Sequence, residues 1–289
     1  MKPLHKITLY YALAKPGIIY GNALSAIAGF FLASKSHIHP AVFLAMLFGL
    51  SAVIAASCII NNYLDRDIDL QMERTKNRAL ALRIIPSVHA FLFAGALYVI
   101  GFSLLIFYTT ITAALAALTG VIFYVILYSI CKRRSVFGTL VGSVAGAVPP
   151  VVGYTAVSGR FDMGALLLFL ILVFWQMPHF YAIAIRRLHD YTRAGLPVWP
   201  VKNGVQATKI QITIFIVGFI GATLSLTLAG YTGLTYFFIL LAAGVVWLYK
   251  AIEGFRTPSN TSWAKSVFFT SLVVLLIFCV TVSLNVLLP

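Results

Sequence analysis

The chain has 289 residues, of which 61% are hydrophobic and only 10% are charged, and its formal net charge is +14. With a mean hydropathy of +0.97, this composition excludes an ordinary soluble domain and predicts an all-α, polytopic membrane protein. The excess of basic residues does not indicate nucleic-acid binding, because 19 of the 21 lie in alternate connections between apolar segments.

Nine apolar segments are long enough to cross about 30 Å of hydrocarbon as helices. In chain order they cover 17–34, 41–62, 88–107, 111–130, 138–157, 164–184, 211–229, 233–249 and 267–288. Short connections separate them, so we expect 1–289 to form a single integral-membrane domain, a bundle of nine transmembrane helices. The two longest connections lie four helices apart, which favours a weak pseudo-repeat of about 17–130 and 138–249, followed by a ninth helix.

The distribution of basic residues predicts the orientation of the bundle. Only Lys35 and Arg160 fall on the side opposite to the other 19, so the positive-inside rule places the amino terminus in the cytoplasm and the carboxyl terminus outside. The amino-terminal sequence has neither the pattern of a cleaved secretory signal nor room for a transit sequence. We therefore expect a bacterial inner (cytoplasmic) membrane, and we interpret most cations, among them Lys132, Arg133 and Arg134, as topology determinants and contacts to anionic lipid.

A dense charge cluster, NNYLDRDIDLQMERTKNR at 61–78, begins where the second apolar segment ends. Asn61, Asp65 and Asp69 recur every four residues, so on a helix all three project from one face. Carboxylates at a membrane rim are costly unless they are paired or bind a cation. Mg²⁺ takes one or two carboxylates together with water and phosphate oxygens. We therefore interpret these three residues as catalytic and as the ligands of Mg²⁺.

Basic residues follow the acidic ones within the same connection. Arg74, Lys76 and Arg78 are suited to binding phosphate oxygens, so the order of acids and bases predicts a site for a diphosphate ester. Asp67 lies on another face of the helix, and we expect it to pair with Arg66 or another neighbour. A self-neutralising, salt-bridged loop that caps the second helix is the structural alternative.

The second cluster, WQMPHFYAIAIRRLHDYTRAGLPV, follows from the sixth apolar segment. His179 lies within the apolar part, Arg186 is seven residues further on the same helix face, and Asp190 follows four residues later. This line runs from membrane depth to the cytoplasmic rim, where it either binds an anionic ring substrate or completes the diphosphate site. For His179, a hydrogen bond to the backbone remains the alternative. Both clusters predict a central cavity that faces the cytoplasm.

The spacing of Asn61, Asp65 and Asp69, followed by Arg74 and Arg78, resembles the first signature of the UbiA-like intramembrane prenyltransferases. The two long clusters, together with KPGIIYGN and GSVAGAVPPVVGY, are similar to the protoheme IX farnesyltransferase (heme O synthase) branch of that superfamily. The resemblance covers essentially the whole chain. One departure from the superfamily is that the second signature usually has two or more aspartates, whereas only Asp190 stands here, as in the heme branch.

The resemblance implies a nine-helix bundle that uses Mg²⁺ to transfer a farnesyl group. The donor would be farnesyl diphosphate and the acceptor the 2-vinyl group of heme B, and addition of water would give heme O and diphosphate. The diphosphate would meet Arg74, Lys76, Arg78 and Asp190. The heme would meet Trp175, Gln176, His179, Arg186 and Arg187, with the arginines at its propionates and His179 orienting the heme or ligating its iron. Membrane lipid is a further expected partner, nucleic acid is not, and contact with heme A synthase or terminal oxidase subunits stays open.

Two other functions are compatible with parts of the pattern. A UbiA-like prenyltransferase acting on a quinone-precursor aromatic acceptor would share the first cluster, but the WQMPH stretch and the single Asp190 argue against it. A secondary transporter also places ionisable residues in membrane helices, typically near the midplane. Here the acidic residues gather at one cytoplasmic rim beside cations, which favours an enzyme.

Overall fold

The computed structural model describes residues 3–35 and 37–285, and within these ranges all regular secondary structure is helical. The helices that we number in chain order are α1 (Pro3–Leu13), α2 (Pro16–Ser34), α3 (Pro40–Leu64), α4 (Arg66–Asp69), α5 (Ser87–Tyr108), α6 (Ile111–Arg134), α7 (Gly138–Ser158), α8 (Met163–Arg186), α9 (Leu188–Arg193), α10 (Trp199–Leu228), α11 (Leu234–Glu253) and α12 (Asn260–Ser283). Helix α6 contains one wider, π-helical segment, Ile122–Leu127.

Nine of these helices, within the described ranges, are long and apolar enough to cross a membrane: α2, α3, α5, α6, α7, α8, α10, α11 and α12. The predicted all-helical, multi-pass architecture is therefore confirmed. Helix α10 begins at Trp199, well before the predicted 211, and Gly204 interrupts it with φ of 80° and ψ of 165°. Much of the predicted loop 185–210 is thus helical. Lys2 and the end of the predicted ninth segment, 286–288, lie outside the described residues.

The bundle is a closed ring of helices crossed chiefly by two internal contacts, that of α2 with α7 and that of α8 with α12. Neighbouring helices pack in the order α2, α3, α5, α6, α7, α8, α10, α11 and α12, and α12 returns to pack on α2. Helices α2 and α7 also pack against each other, so two hydrophobic cores form on either side of them. Trp247 and Phe219 are fully buried in one core and Phe30 and Met46 in the other. The pseudo-repeat stays a prediction.

Glycines allow α2 and α7 to approach at backbone distance. A Cβ atom on Gly153 would overlap the carbonyl group of Ala26, and one on Gly29 would overlap the carbonyl group of Pro150. This contact fixes the two halves of the ring relative to each other. The polar clusters lie at one end of the ring, because α3 and α8 end there and the short helices α4 and α9 follow directly.

The close approach of α2 and α7 predicts that Gly153→Ala destabilises the protein. The added methyl group meets backbone atoms that have no room to move, which costs about 1–3 kcal/mol of unfolding free energy. Thermal unfolding of purified protein in detergent measures this loss. Gly221→Ala in α10 is the matched control, because a Cβ there would meet no atom within 4 Å. An equal loss in both variants would contradict the packing argument.

Candidate active site

A cavity of about 700 Å³ lies at the end of the bundle where both polar clusters meet. Its lining comes from the start of α2, the end of α3, α4 and the turn that follows, α6, α7, α8, the segment after α8, and α12. The predicted site residues that line it are Asn61, Asp65, Asp69, Arg74, Arg78, Arg186 and Arg187. The structure therefore brings both clusters to one cavity.

The acidic residues reach the cavity through a break in the helix. Helix α3 ends at Leu64, Asp65 takes φ of −96° and ψ of 1°, and α4 begins at Arg66. The predicted continuous helix is wrong at this point. Asn61, Asp65 and Asp69 nevertheless line the same cavity, and each is at least 94% buried.

Each of these three side chains contacts a cation. Lys132 of α6 forms an ion pair with Asp65. Arg78 donates from Nη1 to both carboxylate oxygens of Asp69, at 2.9 and 2.8 Å. The ammonium of Lys15 donates to Asn61 Oδ1 over 2.8 Å. The carboxylates are thus neutralised within the protein, as the structural alternative expected, but they remain at the cavity wall.

Lys15 and Lys132 are site residues that sequence reasoning missed. Lys132, interpreted as a topology determinant and a lipid contact, has a side chain only 12% exposed and lies in the cavity, so the expected contact with lipid is wrong. Its part in setting the topology stays a prediction. Lys15 lies directly before α2 in the left-handed conformation, with φ of 52°. Desolvation lowers the pKa of its ammonium to about 8. One available signal was the spacing of Tyr124, Tyr128 and Lys132, four residues apart on α6.

Two tyrosines of α6 form a further part of the wall. The rings of Tyr124 and Tyr128 stack with centroids 5.8 Å apart, and both line the cavity. The hydroxyl of Tyr124 donates to Asn61 Oδ1 at 3.3 Å. Tyr124 lies in the π-helical segment, a distortion that is frequent at functional sites because it reorients side chains within a helix.

Two predicted diphosphate residues lie outside the cavity lining. Lys76 forms an ion pair with Glu73 at 2.5 Å; the Glu73 side chain is exposed and that of Lys76 about half exposed. Asp190 is buried, with Oδ1 3.7 Å from Arg193 Nη2. The spacing of the basic residues did not distinguish Lys76 from Arg74 and Arg78, because the turn after α4 orients them differently.

Three of the predicted heme residues of α8, Trp175, Gln176 and His179, lie behind the cavity wall. The indole of Trp175 donates to the carbonyl of Ser271 at 2.7 Å, and Gln176 donates to the carbonyls of Ser143 and Leu172, each at 3.0 Å. His179 Nδ1 lies 2.7 Å from Ser271 Oγ. All three are buried and none lines the cavity. The partner of His179 is therefore a serine hydroxyl, not the backbone.

An apolar contact joins the two long connections beside the cavity. Ile68 and Met72 of the first connection pack on Leu196 of the second. Arg193 adds polar links, because its Nε donates to the carbonyl of Gln71 at 2.8 Å and its Nη2 lies 3.9 Å from Glu73. The residues after α4 and after α9 therefore hold each other in place.

Asp67 points away from the cavity. It pairs with Arg133, whose guanidinium holds the pKa of Asp67 at about 2. The expected partner Arg66 instead lies over the ring of Tyr63, 4.1 Å from its centroid.

The donor set fits Mg²⁺. Across residues 3–35 and 37–285, no three His, Cys, Asp or Glu side chains come close enough to bind a metal by themselves. Asp65 and Asp69 supply two carboxylates, the number that Mg²⁺ takes when a phosphate provides further oxygens. Asp65 Oδ1 is buried and accepts no hydrogen bond from the described residues. Such an oxygen has a lone pair free for a cation.

Comparison with known proteins identifies the family of this chain. Residues 22–273 match the model of the UbiA prenyltransferase family. The chain belongs to that family. The predicted resemblance is thereby confirmed, and the protein is a prenyltransferase.

Individual relatives support the family and the fold of this UbiA prenyltransferase. A protoheme IX farnesyltransferase from Chromohalobacter salexigens is 49% identical over 277 residues, which are 96% of this chain and 94% of the relative. A solved digeranylgeranylglyceryl phosphate synthase superposes with a TM-score of 0.80 at 20% identity, over 98% of this chain and 99% of the other. A solved UbiA homologue from Archaeoglobus fulgidus, bound to GPP and Mg²⁺, superposes with a TM-score of 0.72 at 15% identity. The superposition covers 95% of this chain and 99% of the homologue.

The buried pair of Lys132 and Asp65 predicts a strong effect of removing one partner. Lys132→Gln leaves the Asp65 carboxylate buried without its cation, which lowers the unfolding free energy by about 3 kcal/mol. The double variant Lys132→Gln, Asp65→Asn carries neither charge and recovers most of that loss. Thermal unfolding of metal-free protein in detergent measures both. Arg134→Gln, at an exposed neighbouring position, is the control, and additive losses in the double variant would contradict the pair.

Proposed function

We propose that this protein transfers a farnesyl group from farnesyl diphosphate to the 2-vinyl group of heme B, with addition of water, and releases heme O and diphosphate. The observation that carries the proposal is the single cavity that joins two carboxylates to six cations, in a chain 49% identical to a protoheme IX farnesyltransferase. The six are Lys15, Arg74, Arg78, Lys132, Arg186 and Arg187.

The donor half of the site is the end that carries Asn61, Asp65 and Asp69. These residues would hold Mg²⁺ against the diphosphate, as the metal and prenyl diphosphate bound to the Archaeoglobus fulgidus homologue suggest. When bound, Mg²⁺ neutralises charge that builds on the departing diphosphate. Asp65 supplies an oxygen without a hydrogen bond from the described residues, and Asp69 supplies the second carboxylate.

Cations around the carboxylates would exchange partners when the substrate binds. Lys132 and Arg78, now paired with Asp65 and Asp69, line the same cavity as Lys15 and Arg74. Lys132 and Arg78 would then contact diphosphate oxygens in place of the carboxylates. Their charge is fixed in place before the bond between the farnesyl C1 atom and oxygen breaks, so it stabilises the leaving group with little reorganisation. Lys76 and Asp190 would act on this half indirectly, from outside the lining.

The acceptor half is the end that carries Arg186 and Arg187. Among the described residues neither arginine pairs with a carboxylate, and Arg186 lies 5.2 Å from the ring centroid of Phe268. Both are therefore available to the two heme propionates. The terminal carbon of the 2-vinyl group would then form the new bond to farnesyl C1. The cation left beside the porphyrin would add water and lose a proton, which gives the hydroxyethylfarnesyl group.

Apolar and aromatic side chains complete the acceptor half. Phe180 and Phe268 line the cavity, where they exclude water from the allylic cation, and an aromatic face also stabilises positive charge. Trp175 and His179 would support this wall through Ser271 and Phe268, since both bind Ser271 and the ring centroids of His179 and Phe268 lie 4.8 Å apart. Gln176 would support it through the carbonyl of Ser143 in α7. We accordingly assign His179 to the wall and not to the heme iron.

The cavity end of the bundle would face the cytoplasm of a bacterial inner membrane. Nearly all basic residues lie in the connections on that side, which the positive-inside rule assigns to the cytoplasm. The amino terminus would then be cytoplasmic and the carboxyl terminus outside. Contact with heme A synthase or terminal oxidase subunits stays a prediction.

Removal of either carboxylate tests the proposed reaction. Asp65→Asn and Asp69→Asn should each lower the rate of heme O formation by on the order of 100-fold. Each change weakens the site for Mg²⁺, the cation that would neutralise charge on the departing diphosphate. Purified enzyme is assayed with farnesyl diphosphate, Mg²⁺ and either heme B or 4-hydroxybenzoate, and products are identified by mass spectrometry. Glu253→Gln, which removes a carboxylate at the end of α11, is the control. Near-normal rates in the aspartate variants would refute the metal site, and a prenylated benzoate would favour the quinone-precursor alternative.

Replacement of His179 tests its place in the wall. His179→Ala should leave the absorption spectrum of bound heme B unchanged and raise the KM for heme about fivefold, since one buried hydrogen bond is worth about 1 kcal/mol. His89→Ala, at an exposed position of α5, serves as the control. A changed heme spectrum in the His179 variant alone would identify His179 as an iron ligand.

A further inference from the structure

Arg133, in the last turn of α6, binds residues on both sides of the break between α3 and α4. Its Nη1 and Nη2 each donate to one carboxylate oxygen of Asp67, both at 2.7 Å, and Nη2 also donates to the carbonyl of Leu64 at 2.6 Å. Leu64 is the last residue of α3 and Asp67 lies within α4. One guanidinium therefore holds both sides of the break at Asp65.

The hydrogen bonds of Arg133 are important for the position of α4, because that helix has only four residues. A helix that short has no stability of its own in isolation, so its direction depends on contacts with the rest of the protein. Those contacts include the hydrogen bonds that Arg133 donates to Asp67, the packing of Ile68 on Leu196, and the pair of Asp69 with Arg78. The contact of Arg133 is the one among them that also holds the end of α3.

Successive residues of α6 act on alternate carboxylates. Lys132 reaches into the cavity to Asp65, whereas Arg133 binds Asp67 outside it. Asp67 lies between the two proposed metal ligands in sequence but contributes nothing to the cavity wall. Its carboxylate binds Arg133 instead, whereas Asp65 and Asp69 on either side of it in sequence both line the cavity.

We propose that Arg133 is a positioning residue for the metal site: through Asp67 and the Leu64 carbonyl, it fixes the break in α3 so that the Asp65 and Asp69 carboxylates converge on one cation. The inference rests on the proposed function for the identity of that cation. Arg133 touches no cavity group, so its effect on the reaction passes through the geometry of the two aspartates. Lysine at this position keeps the charge but loses the two parallel hydrogen bonds.

The experiment measures divalent-cation binding directly as well as activity. Mn²⁺ serves as a paramagnetic substitute for Mg²⁺ and is titrated into purified protein with farnesyl diphosphate, with electron paramagnetic resonance as the readout. Arg133→Lys and Asp67→Asn should each weaken Mn²⁺ binding and raise the Mg²⁺ concentration for half-maximal rate by about tenfold, the lower end of effects seen when groups that orient metal ligands are removed. The KM for heme B should not change. The double variant should be no worse than the poorer single variant, because both changes break one contact.

Arg134→Lys, one residue further along the same exposed turn, is the matched control and should behave as wild type. Thermal unfolding confirms that the variants remain folded. If Arg133→Lys and Asp67→Asn are folded and bind Mn²⁺ as tightly as wild type, the proposal is wrong. It is also wrong if their losses add in the double variant. A wild-type protein that makes no prenylated product with Mg²⁺ would instead refute the proposed function itself, which the same titration distinguishes.

Discussion

The arrangement of the whole cavity end follows from the need to neutralise two buried carboxylates at a membrane rim. Burial of a carboxylate costs several kcal/mol unless a cation compensates it. Here the cations come from different parts of the chain: Lys132 from α6 for Asp65, and Arg78 from the turn after α4 for Asp69. The ends of α3 and α6 must therefore meet, and with them the start of α2, where Lys15 reaches Asn61. The same charged groups that balance one another here are those that a metal and a diphosphate would use.

The sequence predicted the membrane helices well because their signal is composition over a long window, which neighbouring helices scarcely affect. It also singled out Asn61, Asp65 and Asp69, which the structure brings to one cavity, since acids are rare in this chain and their spacing is regular. It did not identify Lys132, because a lysine at the end of a membrane helix looks the same in sequence whether it faces lipid headgroups or a carboxylate. Which of these holds depends on the packing of α6 against α3, and no local pattern encodes that packing.

The second cluster illustrates a different limit of pattern reading. Spacing placed His179 and Arg186 on one face of α8, and only Arg186 lines the cavity. The side chains of Trp175 and His179 both bind Ser271 of α12, a residue almost a hundred positions away. Buried polar groups of this kind satisfy each other and hold two helices in register. A polar residue in a membrane helix thus indicates a hydrogen-bond partner more directly than a substrate contact.

The glycine contact between α2 and α7 has a consequence for how molecules enter and leave. Proteins that carry solutes across membranes by alternating access rock one half against the other around a central site. Here the backbone of Gly153 lies directly on that of Ala26, with no layer of side chains that would let the halves slide. The contact between α2 and α7 therefore joins the two halves of the ring rigidly. Molecules that reach the cavity therefore have to pass between the outer helices or through the mouth at the cavity end of the bundle, which would suit the proposed lipid-soluble reactants and a charged by-product that departs into water.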